Sequence, residues 1–307
     1  MNLEKKYYAK LMLAGEYGVI LGSEAITVPL DLYHARLAHR ENAPESEKEK
    51  ITASVNSVRD LITYIQSLPT NSFYASPDTS VLDDFLKNRY YIESTIPRGY
   101  GIGSSGAVTA LIYDQCFKGT SQLDLQQIRK DLATIESFFH GKSSGVDPMT
   151  CYTGSPLHFL TGGGIRKLEA NPVDPGQGYR FFLLDSGVLL ETEPLVRVFM
   201  EKMRDSLYSE VIRGDYFNLI HQFIRSVTGH SAADPALIFR AISDLQWKHF
   251  REMIPEQMDA LWIDGQVINT YYLKLNGSGG GFLLGIAHQD SMEAVESMLE
   301  NHAIHWL

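Results

Sequence analysis

The pattern of apolar and polar positions divides the 307-residue chain into a β-rich beginning and a helix-rich remainder. Tyr7 to Leu13, Gly18 to Leu21 and Ala25 to Ala38 are apolar or alternating segments, punctuated by Gly15 and Gly22, and are expected as extended chain. The polar run "ENAPESEKEK" follows as a solvated loop or turn. From Val55 to Leu68 the apolar residues Val55, Val58, Ile62, Ile65 and Leu68 recur at spacings of three and four, which predicts an amphipathic helix. "YYIESTI" reads as a strand, Ala107 to Phe117 as a helix closed by Gly119. Ser121 and Asp124 open a second helix with a buried stripe of Leu125, Ile128, Leu132, Ile135 and Phe139, ending at His140-Gly141. "KSSGVDP" is expected as a turn-rich loop and "RFFLLDSGVLL" as a buried strand. Beyond it lie the helical patterns "PLVRVFMEKMRDSL", "YFNLIHQFIRSV", "DPALIFRAISDL" and "DSMEAVESMLEN", interrupted by the glycine-rich "KLNGSGGGFLLGIA". "EANPVDPGQG" concentrates Pro, Gly and Asp and predicts a boundary between domains 1–175 and 176–307.

Composition narrows the function classes. The chain is 44% hydrophobic and 21% charged, as in a globular protein, and its formal charge of -10 makes nucleic acid a poor partner. Cys116 and Cys151 form no C-x-x-C pair, which fits a reducing cytoplasm; Cys116 reads as a small core residue. The first 21 residues place basic residues before an apolar run, but Glu16 interrupts it and no cleavage site follows, so a signal peptide is not expected. No stretch is long enough to span a bilayer, and no membrane partner is expected. A homodimer remains open.

The chemistry concentrates in "IPRGYGIGSSGAV", residues 96–108. Gly101, Gly103 and Gly106 satisfy G-x-G-x-x-G, yet the helix that follows leads into another helix rather than a strand ending in an acidic residue. That context excludes the dinucleotide reading. No Gly-Lys-Ser/Thr is present, so it is not a Walker A loop either. Two readings remain: a phosphate cradle at a helix N-terminus, with Ser104 and Ser105 capping the helix or turned to Mg²⁺, or a plain serine cap after a flexible loop. Glu136 on a last helical turn, Asp147 eleven residues on, and Lys10, read just before a strand with Glu16 and Tyr17 at the next turn, supply a carboxylate, a base and a cation. Phosphoryl transfer requires these parts.

Four ordered segments, between residues 9 and 282, carry a resemblance to the GHMP kinase superfamily, most like its mevalonate kinase branch. "PRGYGIGSSGA" resembles the family's phosphate loop, "KLNGSGGGF" its C-terminal glycine motif, and "AKLMLAGEYGVILG" its N-terminal motif. "ESFFHGKSSGVD" resembles the mevalonate kinase pattern E-x-x-x-H-G-x-P-S-G-V/I-D. Tyr17 stands in place of a usual His, Gly106 and Ser278 in place of Ala, Ser143 in place of Pro, and Pro148 where Asn is common.

The resemblance implies an α+β fold of two domains, the first like the second domain of ribosomal protein S5 and the second ferredoxin-like, with ATP and substrate meeting in the cleft between them. It implies Asp147 as catalytic base with Lys10 beside it, and Gly99, Gly101, Gly103, Ser104, Ser105 and Gly106 on the ATP phosphates. Ser105 and Glu136 would hold Mg²⁺, and Glu16, Tyr17, Gly277, Ser278, Gly279 and Gly280 would shape the substrate cleft. His140 is read as a helix-end cation without chemistry. Read alone, Asp147 could instead make an Asx turn before Pro148, and Lys10 could be a surface lysine. The implied activity is ATP- and Mg²⁺-dependent phosphorylation of mevalonate. Phosphomevalonate kinase, a sugar kinase and a non-catalytic binding relative are the alternatives.

Overall fold

The computed structural model describes residues 1–42, 45–87 and 89–307. Part of "ENAPESEKEK" thus lies outside the described residues. The described chain forms two compact units, and neither is a contiguous stretch. The first comprises Met1–Lys10, Pro29–Pro97 and Gly103–Ser155; the second comprises Leu11–Val28, Arg98–Ile102 and Pro156–Leu307. The composition break near residue 175 therefore falls inside the second unit, because the chain exchanges units within its strands and within the 96–108 loop. Strands β1 (Lys6–Ala14) and β2 (Ala25–His39) each contribute to both.

In the first unit the elements run α1 (Lys48–Ser67), β3 (Ser76–Pro77), α2 (Thr79–Leu86), β4 (Tyr90–Ser94), α3 (Ser104–Cys116), β5 (Phe117–Lys118), α4 (Leu125–His140) and α5 (Val146–Thr153). The C-terminal half of β2 pairs antiparallel with β4, Leu37 opposite Ile92. The expected stripe of α1 is buried at Val55, Val58, Ile62 and Ile65, and the helix begins earlier than the pattern suggested, at Lys48. Asp124 and Gln127 form a reciprocal capping box that starts α4, so the cap is Asp124 rather than Ser121. Buried Asp131 on α4 accepts the backbone N–H of Tyr74 and Ala75 and the hydroxyl of Tyr113, tying the 74–75 loop and α3 to this helix.

In the second unit the N-terminal end of β2 pairs with β6 (Leu157–Phe159), which pairs with β7 (Ile165–Lys167). Next come β8 (Tyr179–Asp185), α6 (Thr192–Lys202), α7 (Ser206–Val211), α8 (Phe217–Val227), α9 (Pro235–His249), α10 (Asp259–Ile268), β9 (Tyr271–Leu275), β10 (Phe282–His288), α11 (Met292–Met298) and β11 (Ile304–Trp306). A four-stranded antiparallel sheet has the order β11-β8-β10-β9. Helices α8 and α9 pack together and bury Phe223, Phe239 and Ile242, with Phe181 of β8 against the two phenylalanines. The architecture is α+β, as expected.

Three local expectations need correction. Gly18–Leu21 is a single helical turn of 3₁₀ type, held by Val19 N–H to Gly15 and Gly22 N–H to Val19. "KSSGVDP" ends inside α5, because Gly145 at φ 71° forms its N-cap and Pro148 suits a first helical turn. Lys10 lies within β1 rather than before it. Among the described residues no helix is long and apolar enough to cross a membrane.

Candidate active site

Within the first unit, α3, α4, α5 and β1 bring together Lys10, Gly103, Ser104, Ser105, Gly106, Glu136, His140 and Asp147, all singled out in the sequence. Lys10 is 1% exposed, and its Nζ lies 2.9 Å from Oδ1 of Asp147. A buried ammonium demands a partner, and this carboxylate supplies one. The Asp147 side chain keeps 32% of its surface, so the carboxylate is reachable from solvent while its cation is not. Gly103, the N-cap of α3 at φ 76°, passes beside this pair: a Cβ there would lie 3.3 Å from Cβ of Lys10 and 3.6 Å from that of Asp147. At Gly106 a Cβ would come within 2.9 Å of the Asp147 carbonyl carbon and of the Pro148 nitrogen. This close approach of α3 to α5 accounts for glycine where the family pattern has alanine.

No side chain caps α3, so neither Ser104 nor Ser105 serves as the cap. They occupy the first turn, where the helix presents backbone N–H groups and positive dipole. The Ser105 hydroxyl turns away to donate to Oε1 of Glu136, 3.0 Å away, and stands 3.0 Å from Nε2 of His140. His140 thus touches the site it was expected only to flank.

Oε2 of Glu136 accepts from the Ser143 hydroxyl, which itself accepts the N–H of Gly145. Burial and the charge of Asp147 push the Glu136 carboxyl up to about 7, against the pull of both serine hydroxyls and Lys10. Burial also pushes the thiol of Cys151 well above its ordinary range, so it is not a nucleophile. Buried Cys116 packs in the core as expected.

The donor set suits Mg²⁺. Ser105 Oγ and Glu136 Oε1 are hard oxygens 3.0 Å apart, the donor type that Mg²⁺ takes. Among the described residues no group of three or more His, Cys, Asp or Glu side chains gathers as a metal cage. An ion on Ser105 and Glu136 would complete its shell with phosphate and water.

The second unit holds the other candidates. Glu16 is fully buried and paired with Nζ of equally buried Lys274, so its carboxylate is engaged internally. Tyr17, at φ 60°, donates its hydroxyl to the carbonyl of Ser278 and stacks among Phe199 and Phe250. Burial raises its pKa far above the ordinary tyrosine value. Asn276 Oδ1 accepts the N–H of Met12, and Lys274 Nζ donates to the carbonyl of Leu275, so the chain entering the glycine motif is fastened on both sides. A Cβ on Gly101 would lie 2.5 Å from the Asn276 carbonyl oxygen, which places the first half of the 96–108 loop against the Gly277–Gly281 motif. Gly99 lies by Leu189, and Ser278 Oγ by Thr192 Oγ1, 2.9 Å away. Sequence reasoning did not single out Lys274 or Asn276; in "YYLKL" Lys274 falls on the face opposite Tyr271, Leu273 and Leu275, so alternation gave no sign of its burial.

This arrangement is similar to that of GHMP kinases. Residues 79–155 match the family model described as GHMP kinases N terminal domain, a stretch that includes Gly103, Ser105, Glu136 and Asp147. A mevalonate kinase from Pyrococcus abyssi is 29% identical over 173 residues, half of each chain. The chain spans about half the length of the curated relatives it matches. The crystal structure of Methanococcus jannaschii mevalonate kinase superimposes with a TM-score of 0.64 at 17% identity, covering 98% of this chain and 96% of that one. Streptococcus pneumoniae phosphomevalonate kinase in complex with phosphomevalonate and AMPPNP gives 0.63 at 11% identity, with 99% of each chain covered. At these identities the structures establish the fold, which is the two-domain α+β fold of GHMP kinases.

Proposed function

We propose that the protein phosphorylates mevalonate at its 5-hydroxyl, using ATP and Mg²⁺ and giving 5-phosphomevalonate and ADP. The observation that carries this reading is the Lys10–Asp147 pair beside the N-terminus of α3: a solvent-reachable carboxylate held by a buried cation, next to a phosphate-type loop. The names of the matched relatives favour mevalonate among the alcohols that GHMP kinases use. A cytoplasmic location and the division of labour between residues 1–175, with loop and base, and 176–307, with the glycine motif, belong to the same reading.

The chain's own groups have distinct tasks. Lys10 occupies Oδ1 of Asp147, leaving Oδ2 to take the substrate hydroxyl proton. As that proton leaves, the substrate oxygen bonds to the γ-phosphorus and the bond from phosphorus to the β-phosphate oxygen of ADP breaks. Lys10, beside the reacting oxygen, stabilises its developing charge. Backbone N–H groups of residues 103 to 106 cradle phosphate oxygens at the positive end of α3. Ser105 and Glu136 would hold Mg²⁺, which when bound neutralises phosphate charge. Tyr17 and the Gly277–Gly280 loop shape the substrate region, with Glu16 bracing the turn that carries Tyr17.

Coupled ADP release against mevalonate, phosphomevalonate, galactose and homoserine tests the proposal. Mevalonate should give the highest kcat/KM. Turnover of another alcohol in its place leaves a GHMP kinase of different substrate, and turnover of none favours a binding relative.

A further inference from the structure

We propose that Ser143 is a positioning residue that acts through Glu136: its hydroxyl fixes one carboxylate oxygen so that the other stays aimed at Ser105. The terminal torsion of a glutamate is soft and roughly two-fold, so one hydrogen bond to Oε1 would not by itself fix the plane of the carboxylate. Here both oxygens are held, Oε1 by Ser105 and Oε2 by Ser143. Ser143 is itself held, because its oxygen accepts the N–H of Gly145, the N-cap of α5. The next carbonyl, that of Ser144, accepts from Nε of Arg129 on α4 at 2.8 Å. Gly145 packs on the same residue: a Cβ there would lie 2.6 Å from the Arg129 carbonyl oxygen. The loop that delivers Ser143 to Glu136 is thus pinned, at Arg129, to the helix that carries Glu136, about two turns before it.

The family pattern has proline at this position, which offers neither a hydroxyl nor an N–H. A hydroxyl clamp on Glu136 from residue 143 thus depends on the serine found here. It rests on the kinase reading only in that Glu136 must serve the Mg²⁺–nucleotide complex.

The test is calorimetric binding of AMPPNP as a function of Mg²⁺ concentration, which needs no turnover. Ser143→Ala should raise the Mg²⁺ concentration for half-maximal AMPPNP binding on the order of 10-fold, the usual effect of removing an outer hydrogen-bond partner of a metal ligand. Ser143→Thr, which keeps the hydroxyl, should stay within about two-fold of wild type on the same reasoning. Thermal unfolding without Mg²⁺ and nucleotide checks that each variant is folded. If Ser143→Ala does not fold, Ser143→Cys keeps the volume with a weak donor and should show the same rise. In a Glu136→Gln background the Ser143 substitution should add nothing further. Wild-type Mg²⁺ dependence in Ser143→Ala, or an equal added effect in the Glu136→Gln background, overturns the proposal. A protein that fails to phosphorylate mevalonate while its AMPPNP binding still responds to Ser143→Ala contradicts the substrate and upholds the clamp.

Discussion

Replacing Asp147 with Asn separates chemistry from structure. The amide keeps the side-chain volume and an oxygen that Lys10 can still reach across 2.9 Å, but it carries no charge and accepts no substrate proton. A positioned base contributes on the order of 10²–10⁴-fold, so about 3–5 kcal/mol should return to the barrier. The cost in stability should be smaller. Asp147 is a third exposed, and the carboxylate of Glu136 remains near enough to interact with Lys10. The loss should fall below the ~3–5 kcal/mol of a fully buried broken pair, at about 1–2 kcal/mol. Turnover by coupled ADP release, AMPPNP binding by calorimetry and thermal unfolding, measured together, give the three answers. The expected set is a rate down at least ~100-fold, unchanged nucleotide affinity and a modest drop in Tm. Near wild-type turnover would refute Asp147 as base; loss of fold and binding together would make it a structural residue of α5.

Other perturbations have equally definite outcomes. Glu136→Gln should raise the half-saturating Mg²⁺ concentration for turnover at least on the order of 10-fold, and an unchanged value would remove Glu136 from the metal. Because the Glu136 carboxyl titrates near 7 when folded and near 4.5 when unfolded, the native state holds the extra proton between these values. Its contribution to stability is therefore full below about 4.5 and is lost as pH rises through about 7. Urea unfolding without Mg²⁺ at pH 5 and pH 7.5 should show wild type losing stability relative to Glu136→Gln, and parallel behaviour would contradict this. Lys274→Met alone strands buried Glu16 and should cost about 3–5 kcal/mol in thermal unfolding, while adding Glu16→Leu should recover most of it. A single variant as stable as wild type would show that the pair does not brace the Tyr17 turn.

Much of the site was legible because its chemistry lies in short contiguous motifs. Glycines that let backbone approach closely, and a serine at the helix start, can be read without the fold, and Glu136 and Asp147 stand out through the motif resemblance. What was hidden depends on packing. Asp147 looked like a loop residue because glycine and proline signal turns; only the left-handed Gly145 makes Pro148 a first-turn residue of α5. Helix α10 escaped periodicity because Trp262 and Gly265 face inward while Ile263, Val267 and Ile268 face solvent, so its apolar residues form no single stripe. The discontinuous units could not be read from composition, since the chain crosses inside β1 with no Pro or Gly and inside β2 at a lone Pro29 within an otherwise strand-like run. His140 was assigned to the helix end by position, and its ring lies against Ser105 only because α3 packs on α4.

The central claim is tested most directly by ³¹P NMR of the purified protein with ATP, Mg²⁺ and mevalonate. The account requires a phosphomonoester resonance of 5-phosphomevalonate growing in step with ADP, absent without Mg²⁺ and absent over the same interval with Asp147→Asn. ADP appearing without that resonance, or the resonance appearing undiminished in Asp147→Asn, would contradict it.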